Sequence, residues 1–139
     1  MEDDVLIEYS AGSVRYDDAQ ANKSWRICAD GRCYSRRNPP GIARPVRADP
    51  FWFVEDYPRR AAKTLTGEQL EALTEYIAGL SDLPARLRYE AERVQGGSWH
   101  KLEIRTPEGR RVVLANGPYR DKVDELLLPV LRILRPDYA

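Results

Sequence analysis

The chain is poor in the residues that most chemistry needs. Its 139 residues include one histidine, two cysteines and one methionine. His100 could serve a Ser–His–Asp or Cys–His arrangement, but nothing such as G-x-S-x-G places a nucleophile for it. Zinc would have to draw on Cys28, Cys33, His100 and a carboxylate, without the second cysteine pair of a structural site, so no metal or cofactor is expected. Carboxylate neighbours such as Glu55-Asp56 and Asp124-Glu125 read as solvated faces or caps rather than acid/base pairs. The nine glycines are scattered and form no phosphate-binding loop. The chain therefore reads as a non-enzyme. Twenty-two basic and twenty-two acidic side chains cancel, so the basic excess of a dedicated nucleic-acid or acidic-membrane binder is missing. No apolar run approaches the roughly eighteen residues of a membrane span. The opening stretch, Met1 to Tyr9, is acidic where a secretory signal would be basic, which predicts a cytoplasmic protein with its two cysteines as thiols.

What is present suffices for a folded domain. Hydrophobic residues make up 42% of the chain, and the length predicts a single domain over 1–139. Charge is unevenly spread. Residues 1–22 carry six acidic side chains against Arg15, whereas residues 23–63 carry ten basic against four acidic. Such neighbours can pair internally, or the basic segment can serve an acidic partner.

Val5-Leu6-Ile7-Glu8-Tyr9 reads as a first strand closing at Ala11-Gly12. Ser24–Ala29 and Arg32–Arg36 flank Asp30-Gly31, a strong two-residue hairpin signal, because a type I′ turn needs positive φ at both central positions. That register sets Cys28 opposite Cys33, with Cα atoms roughly 4.5 Å apart, at the short end of disulfide geometry. A long loop follows over about 38–63, marked by Asn38-Pro39-Pro40-Gly41 and by Pro45, Pro50 and Pro58. Thr66 and Gln69 form a capping box, Leu65 can staple onto Leu70, and Leu70, Leu73, Ile77 and Leu80 make a helical stripe ending near Gly79. Residues 83–94 fit either a helix begun by Pro84 or a strand at Leu87-Arg88-Tyr89. Trp99–Arg105 and Arg111–Ala115 form a second hairpin around Pro107-Glu108-Gly109, read as a three-residue turn. Pro118 opens a last helix facing inward with Val123, Leu126, Leu127, Val130, Leu131 and Leu134, and Pro129 should kink or restart it. The order β-ββ-α-ββ-α predicts an α+β fold, an antiparallel sheet of about five strands with its helices on one face.

From Leu65 to about residue 135 the chain resembles the emfourin family, small bacterial inhibitors of thermolysin-like (M4) metalloproteases. The residues that carry this are Thr66-Gly-Glu-Gln-Leu-Glu-Ala-Leu, Leu80-Ser-Asp-Leu-Pro-Ala-Arg-Leu, the hairpin from Lys101 to Val113, and the leucine-rich helix from Val123 to Leu134. The chain departs from that pattern at Gly97-Ser98-Trp99, where members carry an Asp-aromatic pair, and in the loop from Asn38 to Lys63. The Cys28/Cys33 hairpin is closer to small uncharacterised bacterial domains of similar order. The resemblance implies an inhibitor that binds a protease, and it transfers no individual inhibitory residue.

The loop is the most unusual segment. Both phenylalanines of the chain, Phe51 and Phe53, lie there with Trp52 and Tyr57, flanked by Arg44, Arg47, Arg59 and Arg60. Either the phenylalanines plug an open side of the sheet, or the segment is an exposed anchor, since Trp, Tyr and Arg are enriched at interface hot spots. With alternation both hold: Phe51 and Phe53 point in and Trp52 points out. These eight residues form the candidate partner-binding set. The expected function is protein binding, in its specific form inhibition of an M4-type protease. An immunity protein against a toxin is a second form. A small-ligand-binding domain or an uncharacterised enzyme would instead show a deep pocket lined by Arg26, Arg36 or Trp99. A homodimer would bury Trp52 or an edge strand at Val5–Tyr9.

Overall fold

A computed structural model describes residues 4–13, 22–43, 45, 49–90 and 98–135. The strands are β1 (Val5–Ser13), β2 (Lys23–Cys28), β3 (Arg32–Arg37), β4 (Lys63–Thr64), β5 (Arg86–Tyr89), β6 (Ser98–Thr106) and β7 (Gly109–Asn116). Helix α1 (Gly67–Ala78) lies between β4 and β5, and helix α2 (Asp121–Leu134) follows β7 after a 3₁₀ turn at Gly117–Tyr119. The fold is α+β, with one sheet in the order β4-β3-β2-β1-β6-β7-β5.

Strand number and direction correct the expectation. The sheet has seven strands rather than about five, and β5 runs parallel to β7, so it is not wholly antiparallel. The additions are the short edges: β4 is the end of the long loop, and β5 resolves the ambiguous segment after α1 as a strand. Residues 91–94, which the helical alternative also needed, lie outside the described residues. Strand β1, expected at an edge, is interior and pairs with β2 on one side and β6 on the other.

The core follows from alternation. Ile7, Tyr9 and Ala11 of β1, Ile27 of β2, Leu102 and Ile104 of β6, and Val113 and Ala115 of β7 point to one face, where Leu73 and Ile77 of α1 and Val123, Leu127 and Val130 of α2 cover them. Burying each of the valine, leucine and isoleucine side chains among them contributes about 1.5–3 kcal/mol. The capping box of α1 forms as the sequence predicts: Gln69 N donates to Thr66 Oγ1 at 3.1 Å, and Thr66 N donates to Gln69 Oε1 at 2.9 Å. Helix α2 runs through Pro129 as one element rather than restarting there.

Both hairpins differ from expectation by one residue. In the first, Ile27 pairs with Cys33, so the loop is Ala29-Asp30-Gly31, with a Gly31 N to Cys28 O bond of 2.9 Å and Gly31 at φ +88°. Asp-Gly serves a three-residue turn as well as a two-residue one, because both need a glycine at positive φ. Asp30 Oδ1 accepts from Arg32 N at 3.0 Å, and Ala29 N donates to Asp4 O at 2.6 Å, which hold the longer turn. A one-residue slip reverses the face of every β3 side chain. Cys28 and Cys33 therefore lie on opposite faces, and both are thiols. In the second hairpin Thr106 pairs with Gly109, leaving a two-residue turn at Pro107-Glu108, with Gly109 at φ +126°. Thr106 Oγ1 closes it, donating to Gly109 O at 2.7 Å and accepting from Glu108 N at 3.2 Å.

Candidate functional site

The face of the sheet away from the helices carries Glu8, Ser10 and Gly12 of β1, Ser24 and Arg26 of β2, Tyr34 and Arg36 of β3, and Lys101 and Glu103 of β6, as the pairing register requires. A polar face of this kind is not sealed by an apolar layer. Residues 49–58 lie over part of it, tied down by side chains from the sheet.

Two asparagines hold the backbone of this segment. Asn22, fully buried, donates through Nδ2 to Pro50 O at 2.8 Å and to Trp52 O at 2.9 Å, while its Oδ1 accepts from Ser13 N at 3.0 Å. Asn38 donates to the same Trp52 carbonyl at 3.1 Å and accepts from Val54 N at 2.9 Å. The close approach needs glycine at position 12. A Cβ there would lie 2.8 Å from the Pro50 carbonyl carbon and 3.0 Å from Phe51 Cδ1.

The aromatic side chains then meet cations. Lys101 Nζ stands 4.6 Å from the centre of the Phe51 ring, Arg36 4.0 Å from Phe53 and 4.3 Å from Tyr57, and Arg26 4.3 Å from Tyr57. Each such contact contributes about 0.5–2 kcal/mol, more when water is excluded. A directed chain of hydrogen bonds runs beneath them. Arg36 Nε donates to Ser24 Oγ at 3.0 Å, Ser24 and Tyr57 share a 2.7 Å contact, and Tyr57 OH donates to Glu8 Oε2 at 3.0 Å. Burial pushes the Tyr57 phenol well above its ordinary range, which keeps it a donor at any physiological pH. Arg36 also bonds Glu55 O at 3.4 Å and pairs with Asp56 at 3.5 Å. It is the hub of the segment, and it faces this way only because of the three-residue turn before β3.

Of the eight candidate residues, Phe51, Phe53 and Tyr57 are brought together on the sheet, half-buried. Trp52 is half-buried as well rather than an exposed anchor, and Arg59 and Arg60 are exposed. Arg44 and Arg47 lie outside the described residues. The apolar side chain the segment does present is Val54, 44% exposed. Sequence reading missed Val54, the asparagine clamps, and Glu8 and Ser24, and it named Arg36 only as a candidate pocket residue. Only Asn38 carried a signal, as the start of Asn-Pro-Pro-Gly, and that signal spoke of a turn.

The remaining candidates serve the fold. His100 is 3% exposed on the helix side, with Nδ1 at 2.8 Å from Tyr9 OH and Nε2 at 2.9 Å from Ser98 Oγ. Burial, with Arg120 nearby, lowers its pKa to about 4, so it is a neutral ring with one donor and one acceptor nitrogen. Cys28, Cys33 and His100 are not brought together, and among the described residues no group of three or more His, Cys, Asp or Glu side chains could hold a metal. No described helix is long and apolar enough to cross a membrane. Arg36 lines a cleft of about 550 Å³ with Lys23, Trp25, Arg37 and Asn38. Arg26 borders a shallower groove of about 230 Å³ near the end of α2, and Trp99, under Arg88 at 5.2 Å, lines neither. No protein-family model matches the chain, and no curated protein does.

Proposed function

We propose that this domain works by binding another protein and occupying it, with no chemistry of its own. The observation that carries the reading is the state of residues 49–58: a loop of this length without regular structure is costly to keep, yet Pro50, Trp52, Val54 and Tyr57 are each tied down by residues of the sheet or its strand ends. A segment ordered in advance loses little entropy on association, which is what a tight binder requires. It offers Val54 as an apolar contact, with Glu55, Asp56, Arg59 and Arg60 of the same segment exposed as a charged rim. The resemblance to emfourins supplies the specific form, inhibition of a thermolysin-like metalloprotease. Neutralisation of a toxin is the second form, in which the basic segment of residues 23–63 meets an acidic cleft.

The test is a titration of a thermolysin-like protease with this protein, following peptide hydrolysis. The expected result is inhibition that saturates near one equivalent and weakens at least tenfold in Val54→Asp and in Arg59→Glu/Arg60→Glu. Full protease activity in the presence of excess protein removes the metalloprotease form. If tagged protein also retains no toxin or other partner from host lysate, the binding reading itself falls. Small-ligand binding draws its support from the cleft beside Arg36, whose volume is ordinary for ligand sites.

A further inference from the structure

Among the described residues, strand β3 is only half covered. Strand β4 pairs with it at Arg32 and Cys33 and goes no further. Asn38 N donates to Asn22 O at 3.1 Å, so even-numbered residues of β3 turn their backbone groups toward β2. Cys33 O accepts from Ala62 N at 2.8 Å, so odd-numbered ones turn theirs outward. By the same alternation the N–H and C=O of Ser35 and Arg37 point away from the sheet, and no described group bonds to them. The 550 Å³ cleft lies at this place. Lys23, Trp25, Ser35 and Arg37 line it from the helix side, and Ser24, Arg36 and Phe53 from the other, so it wraps the free edge with room on both faces. Glu55, Asp56 and Pro58 also border it beside Arg36, which pairs with Asp56, so among the described residues its free cations are Lys23 and Arg37 on the helix side.

We propose that the Ser35–Arg37 edge of β3 takes an extended, acidic segment of a partner protein as an added strand. Main-chain bonds to Ser35 and Arg37 supply the pairing, and alternate side chains enter the two halves of the cleft. Charge selects the occupant. Lys23 and Arg37 are exposed beside Trp25 on the helix side, and neither forms an ion pair with a described residue. A carboxylate on the incoming strand would meet both. A second copy of this chain is a poor occupant, because its edges carry Arg36 and Arg37 on β3 and Arg86 and Arg88 on β5, and like charges facing across a strand pair repel. The inference rests on the reading of the domain as a protein binder and names the surface and the chemistry of the partner.

The test uses a six-residue peptide of alternating valine and glutamate, with nuclear magnetic resonance and amide exchange on the full chain. Expected are shifts confined to the β3 edge and at least tenfold slower exchange at the Ser35 and Arg37 amides. Binding should weaken at least tenfold for the lysine-for-glutamate peptide, for an N-methylated peptide that cannot donate, and for Lys23→Glu/Arg37→Glu. Absence of shifts at Ser35–Arg37 with millimolar peptide overturns the proposal. So does equal binding by the N-methylated peptide, or by free glutamate, which would make the cleft a small-anion site. The readout is local to the edge, so failure here leaves protease inhibition through Val54 to be judged on its own result.

Discussion

Two buried residues set the order of the site and the pH response of the fold. Asn22 bonds three backbone groups from 0% exposure, so Asn22→Ala removes one hydrogen bond each from Ser13 N, Pro50 O and Trp52 O, the last of which keeps Asn38. Losses of this kind cost about 3 kcal/mol and should be read as a lowered urea midpoint. His100 answers to pH. Its folded pKa of about 4 lies below the ordinary value of 6.5, so between these values the unfolded chain holds the proton and the folded one does not. The stabilisation is complete above pH 6.5 and is lost as pH falls toward 4, a change on the order of 3 kcal/mol. Denaturation curves at pH 7 and pH 4.5 should show that loss for the wild type. In His100→Gln, which keeps a donor and an acceptor, the gap between the two pH values should shrink. An equal gap in both proteins would assign the pH response to the carboxylates.

At the scale of elements, a single turn decides what β3 presents. Had Asp30-Gly31 formed the two-residue turn, Arg36 would face the helices and Tyr34 would lie across from Ile27. The additional loop residue puts Arg36 on the far side, against Phe53, Tyr57 and Ser24. The segment it holds depends equally on Gly12. Gly12→Ala should push Pro50 and Phe51 off β1, costing about 1–3 kcal/mol and loosening residues 49–54, while α1 and α2 stay protected in amide exchange. The same elements show what could be read in advance. The capping box at Thr66 and the stripe Leu70–Leu73–Ile77 are local patterns, and both were legible in the sequence. The two hairpins were legible as hairpins but not in register, since Asp-Gly and Glu-Gly suit turns of either length. Strands β4 and β5 were hidden because two and four residues leave no period to see, and their place is set by pairing with distant partners.

Across the whole molecule, one sheet has two unlike faces. The helix side is an apolar core, and the other is a polar surface on which a long segment is fastened by hydrogen bonds and stacked cations. The aromatic–arginine composition of that segment pointed to it as the place of interest. Nothing local showed that its clamps would come from Asn22, Asn38 and Ser24, which are ordinary polar residues until the fold brings them under the loop. The binding reading needs that segment to be ordered before any partner arrives. Amide exchange of the free protein measures this directly at Val54, whose N–H is held by Asn38 Oδ1. Exchange at least a hundredfold slower than in an unstructured peptide, lost in Asn38→Ala, is the expected result. Exchange at the peptide rate in the wild type would mean that the loop is not preformed, and the main support for a rigid protein-binding surface would be gone.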